Sequence, residues 1–228
     1  MNPIFYGVGV GPGDPELLTL KALRMMREAD ILAVPGRDRD SSLAYRIALG
    51  ADRSLADKEC LCIPMPMTKD ANKLDESHAA GAKRICEQLA AGKSVAFLTL
   101  GDPTVYSTYL YLQTRVKQAG YRTQIISGIA SFLAAAAAFD IGLVEQRDQL
   151  HIIPSTYGVE QALELSGTKV LMKAGKQMGA VKAAVSQAAD DIYMIENCGM
   201  ENERMIYGAQ ELPDDAGYYS LIIVKENS

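Results

Sequence analysis

Apolar strands that end in glycine-rich turns and lead into helices constrain the fold of this chain more than any other feature. The β-branched and aromatic run from Ile4 to Val10 reaches the turn Gly9-Val10-Gly11-Pro12-Gly13-Asp14, after which apolar residues recur at helical spacing. Asp14 is a favourable N-cap, and Pro15 suits the first helical position. Because strands that alternate with helices form right-handed βαβ crossovers, the sequence predicts an α/β fold with a largely parallel sheet.

The alternation continues along the chain and predicts two α/β lobes. Further N-terminal strands are predicted at Ile31 to Val34, Ser94 to Leu100 and Thr123 to Ile126. Between about Gly142 and Gln149 the sequence turns polar and loses its period, which indicates a linker. We therefore expect an N-terminal lobe at 1–145 that carries the glycine-rich loops, and a C-terminal lobe at 146–228 that completes the ligand site.

The C-terminal lobe should contain a mixed sheet, because two of its strand-like runs have no long helix between them. A helix is predicted between about Met178 and Ala188. Ligands of two-lobed α/β proteins bind beyond the carboxyl ends of strands and often between domains, so we expect a ligand-binding cleft between the lobes. The strands of this lobe are predicted at Leu150 to Ile153, Thr168 to Met172, Ile192 to Ile195 and Tyr219 to Val224.

Charge and hydropathy exclude two classes of partner. The 228 residues include 23 Lys and Arg against 28 Asp and Glu, a net charge of −5, and no basic stripe of the kind that binds nucleic acid. The longest uninterrupted apolar run, Phe132 to Phe139, is far shorter than the roughly 20 residues that cross a bilayer. No secretory signal is visible at the N-terminus. We expect a cytoplasmic protein that binds neither nucleic acid nor membrane.

Histidine is scarce, which argues against metal or triad chemistry. Only His78 and His151 occur, and no Cys-x-x-Cys pair is present. A histidine-based triad or a metal centre would lack its usual ligands. The four cysteines fit reduced thiols in a chain that needs no disulfides. We expect no protein-bound metal.

Three small-residue loops are predicted to meet at one end of the N-terminal sheet. They are Gly9 to Asp14, Leu100 to Ser107 and Ser127 to Phe132, and each follows a strand and leads into a helix. Glycine lets the backbone approach a ligand closely, and the free N–H groups of a helix N-terminus favour a carboxylate. The three loops together predict a small-molecule site.

The first loop does not fit a dinucleotide fingerprint. In a G-x-G-x-x-G pattern, Pro12 or Asp14 would take the place of the third glycine. A P-loop is also excluded, because Glu87 stands where its first glycine belongs and Gly92-Lys93-Ser94 precedes a strand. Neither nucleotide-binding loop is therefore expected.

The same loops resemble those of the tetrapyrrole (corrin/porphyrin) methylases. The resemblance rests on Gly-Val-Gly-Pro-Gly-Asp-Pro-Glu-Leu-Leu-Thr-Leu-Lys-Ala at Gly9 to Ala22, on Leu98 to Thr108 and on Ser127-Gly128-Ile129-Ala130-Ser131-Phe132. It extends through Lys169 to Gly175 and Glu196 to Arg204, so it covers essentially the whole chain. Its motifs are specific in combination.

The resemblance implies an enzyme that uses S-adenosylmethionine and releases S-adenosylhomocysteine. It also implies the two-lobed class III methyltransferase fold, a homodimer and a cofactor held between the lobes. In this family the reactive sulfonium supplies the difficult chemistry, which is compatible with two histidines. The cofactor contacts that it implies are Pro12, Leu100, Gly101, Asp102, Val105, Ala130, Ser131, Met172 and Cys198.

The Gly-Asp-Pro-Thr-Val-Tyr-Ser-Thr version of the second loop is most similar to that of members that methylate C20 of precorrin-2 or cobalt-factor II. A related methylase acting at another ring position, and a non-catalytic binder of cofactor or tetrapyrrole, remain alternatives. A polycarboxylate substrate calls for a local cationic rim. The candidate substrate residues are Arg37, Arg39, Tyr106, Lys173, Lys176 and Arg204, and no catalytic base is assigned.

Overall fold

A computed structural model describes residues 2–66, 68, 70–154, 159–173, 178–185 and 191–226. Contacts divide the chain into two compact units, Met1–Ala130 and Ser131–Ser228. The sequence predicts the boundary between the two lobes near residue 145. The division falls earlier because the helix that follows Ala130 packs against the last strand of the second unit.

The first unit contains a five-stranded sheet, and the prediction that its strands are largely parallel is confirmed. Its spatial order is β3-β2-β4-β1-β5, and every neighbouring pair is parallel. β1 therefore lies between β4 and β5, so the strands that precede the three glycine-rich loops are neighbours. The strands are β1 (Ile4–Gly9), β2 (Ile31–Pro35), β3 (Glu59–Ile63), β4 (Val95–Thr99) and β5 (Arg122–Ile126).

Four helices cover the two faces of this sheet. Residues of α1 (Leu20–Glu28) and α2 (Leu43–Ala51) share one apolar cluster with Val8 of β1. Residues of α3 (Ala71–Ala90) and α4 (Tyr109–Gln118) share another cluster with Phe5. Phe5 and Val8 differ in strand parity, so the two clusters lie on opposite faces. Both faces are thus buried, which explains the almost continuous apolar runs of these strands.

Side chains cap the N-termini of α1 and α3, whereas the N-cap residues of α2 and α4 make no side-chain cap hydrogen bond. Thr19 Oγ1 accepts a hydrogen bond from the N–H of Ala22 at 3.1 Å and begins α1. Asp14 caps a 3₁₀ turn at Pro15–Leu17 that precedes α1, so the helix begins later than Pro15. The Asp70 carboxylate caps α3, which starts well before the apolar spacing is visible in the sequence. A second 3₁₀ turn lies at Arg53–Asp57.

The second unit contains a five-stranded sheet, and the prediction that this sheet is mixed is confirmed. Its order is β6-β7-β10-β8-β9; β6 and β7 are parallel, and the other pairs are antiparallel. The short strand β9 was not predicted from the sequence, because only four of its residues pair with β8. The predicted helix end at Ala188 lies outside the described residues. The elements are α5 (Ser131–Ala138), β6 (Leu150–Pro154), α6 (Val159–Leu163), β7 (Thr168–Met172), α7 (Met178–Val185), β8 (Asp191–Glu196), β9 (Arg204–Tyr207), a 3₁₀ turn at Ala209–Glu211 and β10 (Ser220–Lys225).

Two features are absent from the residues that the structure describes. None of the helices there is long and apolar enough to cross a membrane. No group of three or more His, Cys, Asp or Glu side chains in those ranges could hold a metal ion.

Candidate functional site

The three predicted loops meet at the carboxyl end of β4, β1 and β5. The loop after β1 pairs with the loop after β4 through a two-residue bridge: Gly101 N–H donates to the Gly11 carbonyl at 2.8 Å, and Gly11 N–H donates to the Gly101 carbonyl at 3.3 Å. Val10 N–H also donates to the Thr99 carbonyl at 3.0 Å. The first two loops are thus joined backbone to backbone.

Gly9, Gly101 and Gly128, one from each loop, form a contact that we call the glycine junction. A Cβ placed on Gly9 would lie 2.6 Å from the Gly101 carbonyl oxygen and 2.6 Å from the Gly128 nitrogen. A Cβ on Gly128 would collide with the same carbonyl and with the backbone of Gly9. Any side chain at these two positions would force the loops apart, so glycine is required here for close approach.

Asp102 connects the second loop to the third. Its Oδ2 accepts a hydrogen bond from Gly128 N–H at 2.9 Å. Its Oδ1 accepts from the Thr104 N–H at 2.8 Å and from the Thr104 hydroxyl at 2.5 Å. Burial acts to raise the pKa of this carboxyl, but the hydrogen bonds from Thr104, Gly128 and Ser127 outweigh it, and the pKa is lowered. Asp102 is therefore an ionised link between loops.

The other predicted cofactor contacts of the first unit lie on the same loops. Pro12 and Ala130 are buried, whereas Leu100 and Val105 are partly exposed. Ala130 is directly followed by α5, which begins at the predicted contact Ser131. The structure thus brings together Pro12, Leu100, Gly101, Asp102, Val105 and Ala130 at one end of the first sheet.

Tyr106 has an unusual backbone. Its φ is 47°, in the left-handed region that non-glycine residues rarely adopt, and 46% of the residue is exposed. It precedes α4 and lies outside the first turn of that helix. Strained residues cluster at functional sites, so Tyr106 remains a candidate substrate contact.

The predicted residues of the second unit also lie at one end of their sheet. Met172 ends β7, Cys198 follows β8, and Arg204 begins β9 opposite Glu196. Lys173 follows Met172 and has a φ of 61°. Burial, followed by the charge of Glu203, raises the pKa of the Cys198 thiol to about 11, so this thiol is neutral at physiological pH.

The cationic candidates differ in their surroundings. Arg37 is exposed in the loop after β2. Arg39 lies 3.6 Å from Asp40 and 5.6 Å from the ring centre of Tyr45. Arg204 lies 3.6 Å from Glu196. Lys176 lies outside the described residues.

Two features of these sites were not predicted from the sequence. Thr19 Oγ1 lies 3.4 Å from the Ser127 carbonyl and links the start of α1 to the third loop. Tyr218 and Tyr219 precede β10 at the same end of the second sheet as Met172 and Arg204. Threonine at an N-cap position gives no sign of a distant partner, and the tyrosines resemble ordinary strand residues.

Known proteins that are similar to this chain belong to the family that its motifs indicate. A family model described as Tetrapyrrole (Corrin/Porphyrin) Methylases matches residues 5–212. The probable cobalt-precorrin-2 C(20)-methyltransferase of Methanocaldococcus jannaschii is 34% identical, covering 96% of this chain and 95% of that protein. The cobalt-precorrin-2 C(20)-methyltransferase of Salmonella typhimurium is 32% identical, covering 99% and 98%.

A solved structure shares the fold. The uroporphyrin-III C-methyltransferase from Thermus thermophilus, complexed with S-adenosyl homocysteine, superposes with a TM-score of 0.71 over 98% of this chain and 92% of that one. The two are 19% identical in sequence, so this likeness bears on the fold alone. The two-lobed α/β fold predicted from the sequence is confirmed.

Proposed function

The chain belongs to the tetrapyrrole (corrin/porphyrin) methylase family, and we propose that it transfers a methyl group from S-adenosylmethionine to C20 of precorrin-2 or cobalt-factor II in cobalamin biosynthesis. The observation that carries the proposal is the glycine junction, in a chain whose relatives named for C20 methylation match almost its full length. The loops of that junction bear the motifs on which the family resemblance rests.

The residues around the junction fit the methyl donor. Its amino-acid part carries a carboxylate, which suits the N–H groups in the first turn of α5 because they have no partner within the helix. Its adenosyl part needs apolar surface, which the partly exposed Leu100 and Val105 offer. The proposed cofactor contacts of the first unit also include Pro12, Gly101, Asp102 and Ala130, and those of the second unit are Ser131, Met172 and Cys198.

The proposed reaction requires few catalytic side chains. S-adenosylmethionine supplies a methyl group on a sulfonium, so that C20 gains a carbon–carbon bond, sulfur keeps the electron pair of the broken bond and C20 loses its proton. The protein must hold the donor and exclude water, which the buried loops around Asp102 are suited to do. Both histidines have structural partners: His78 stacks on Tyr111, and His151 Nε2 lies 3.0 Å from the Ser166 carbonyl. No catalytic base is assigned.

Turnover with a labelled methyl group tests the proposal. The full chain is incubated under anaerobic conditions with methyl-¹³C S-adenosylmethionine and either precorrin-2 or cobalt-factor II. We expect mass spectrometry to find one added methyl group and NMR to place it on C20. Comparing the two substrates decides whether the natural one contains cobalt.

Matched variants make the result specific to the site. Gly128→Ala should be inactive because its Cβ would collide with Gly101. Gly179→Ala in α7 should be active, because its Cβ would meet nothing within 4 Å. A methyl group at another carbon would support the alternative of a related methylase. Binding of both ligands without turnover would support a binder instead of an enzyme.

The homodimer and the cytoplasmic location form part of the proposal. The sequence supports both, the first through the family resemblance and the second through its charge and hydropathy. Sedimentation equilibrium tests the dimer, and cell fractionation tests the location.

A further inference from the structure

We infer that Lys173, Tyr218 and Tyr219, which we call the tyrosine platform, bind the ring and one carboxylate of the tetrapyrrole. The inference rests on the proposed function and adds to it a substrate-binding surface on the second unit. The platform lies where β7 and β8 end and β10 begins, because Met172 pairs with Leu221 and Glu196 pairs with Ser220.

The two tyrosines offer aromatic surface to a ligand. Their ring centres are 5.2 Å apart, and the ring planes meet at 81°, an edge-to-face arrangement. Each ring supports the other, yet 49% of Tyr218 and 43% of Tyr219 remain exposed. A pair of half-exposed aromatic residues held in a fixed geometry is suited to packing against a planar macrocycle.

Lys173 adds a positive charge to the same surface. Its Nζ lies 6.0 Å from the centre of the Tyr218 ring, within the range of a cation–π contact. Its backbone has a φ of 61°, which is unfavourable for lysine. Such strain is retained mostly where a side chain must point in a particular direction. An ammonium group beside aromatic rings matches a ligand that combines a planar ring with carboxylates.

Hydrogen bonds from the end of β8 hold the segment that carries the tyrosines. Asn197 N–H donates to the Tyr219 carbonyl at 3.0 Å. Gly217 N–H donates to Glu196 Oε1 at 2.8 Å, and the other oxygen of Glu196 lies 3.6 Å from Arg204. The tyrosines are therefore held on both sides by hydrogen bonds, one to the Tyr219 backbone and one to the Glu196 side chain, which preorganises them for binding.

Titration of the full chain with cobalt-factor II tests the platform. Binding is followed by the absorbance of the ligand and by quenching of tyrosine fluorescence, since the chain contains no tryptophan. We expect the double variant Tyr218→Leu, Tyr219→Leu to raise the Kd about tenfold. Lys173→Gln should raise it about fivefold at low ionic strength, and this difference should shrink with added salt.

Controls separate the platform from general damage. Tyr207→Leu and Lys182→Gln change an exposed tyrosine and a paired lysine elsewhere in the second unit and should leave the Kd unchanged. Calorimetry with S-adenosylhomocysteine should give the wild-type affinity for every variant. If the platform variants lose affinity for S-adenosylhomocysteine as well as for the tetrapyrrole, the platform has no specific role in tetrapyrrole binding.

The outcomes distinguish the inference from the proposed function. If the wild-type chain binds and methylates cobalt-factor II and the platform variants do so equally well, the inference about the platform is wrong and the proposed function stands. If the wild-type chain binds S-adenosylhomocysteine but neither precorrin-2 nor cobalt-factor II, the proposed function fails and the platform fails with it.

Discussion

The Asp102 carboxylate accepts a hydrogen bond from the Gly128 backbone N–H at 2.9 Å and ties the loop after β4 to the loop after β5. The same carboxylate accepts two hydrogen bonds from Thr104 within its own loop. Asp102 was predicted as a cofactor contact from the family resemblance. Its geometry adds a second role, the positioning of two loops that flank the proposed site.

Asp102→Ala should lower both stability and cofactor affinity. The change leaves the N–H groups of Gly128 and Thr104 without their acceptor, which we expect to cost about 1–3 kcal/mol of unfolding free energy. S-adenosylhomocysteine should bind about tenfold more weakly because the loops lose their connection. Chemical denaturation and calorimetry measure the two effects.

Asp102→Asn and Asp30→Ala are the matched comparisons. The asparagine keeps one oxygen that can accept from Gly128, so its losses should be smaller than those of Asp102→Ala. Asp30 accepts from Ser94 N–H at 2.7 Å at the opposite end of the sheet, and its replacement should lower stability alone. Wild-type cofactor affinity in Asp102→Ala would contradict the positioning role.

Gly128→Ala should destabilise the first unit by about 1–3 kcal/mol, because its Cβ would push into the Gly9 backbone and the Gly101 carbonyl. Binding of S-adenosylhomocysteine should be lost, as the three loops would separate. Gly179→Ala, in the open part of α7, should raise stability by about 0.5–1 kcal/mol. Denaturant titration measures both, and equal stability of the two variants would refute the tight junction.

Tyr106→Gly should separate substrate binding from stability. Glycine accepts a φ of 47° without strain, so the change should relieve about 1 kcal/mol of backbone cost and offset part of the lost side-chain contacts. We expect the thermal midpoint to stay within a few degrees and S-adenosylhomocysteine affinity to be unchanged. The KM for cobalt-factor II should rise several-fold in steady-state assays. An unchanged KM would remove Tyr106 from the substrate site.

His78 should make the protein less stable in mild acid. Burial, together with the charge of Arg115, lowers the pKa of this histidine, although Asp75 acts in the opposite direction. Because the folded state holds the neutral form, the unfolded state binds the proton more readily. The contribution is complete above the ordinary histidine pKa of about 6.5 and is lost as the pH falls through that value toward the lower folded pKa.

Denaturation curves at several pH values between about 7 and 5 measure this effect. His78→Phe keeps an aromatic ring against Tyr111 and should flatten the pH dependence in this range. His151→Gln, at the only other histidine of the chain, should retain it. A wild-type slope in His78→Phe would assign the acid sensitivity to another group.

Much of the architecture could be predicted because its signals are local. Strand periodicity and turn residues located β1, β2, β4 and β5, and the lack of a long helix between two strand-like runs predicted the mixed second sheet. Elements with weak local signals were missed. The first half of α3 is mostly exposed and polar, and β9 pairs only four residues. Their formation depends on a cap at Asp70 and on the neighbouring strand β8.

The sequence by itself determined the loops, their residue types and the family, since motifs and turns are properties of adjacent residues. Only the tertiary structure decided which of those residues touch. Gly9, Gly101 and Gly128 come from distant parts of the chain and meet because β1 is inserted between β4 and β5. Lys173 reaches Tyr218 because β10 pairs with β7 in antiparallel register. Strand order arises from packing between elements that lie far apart in the sequence, which no local pattern encodes.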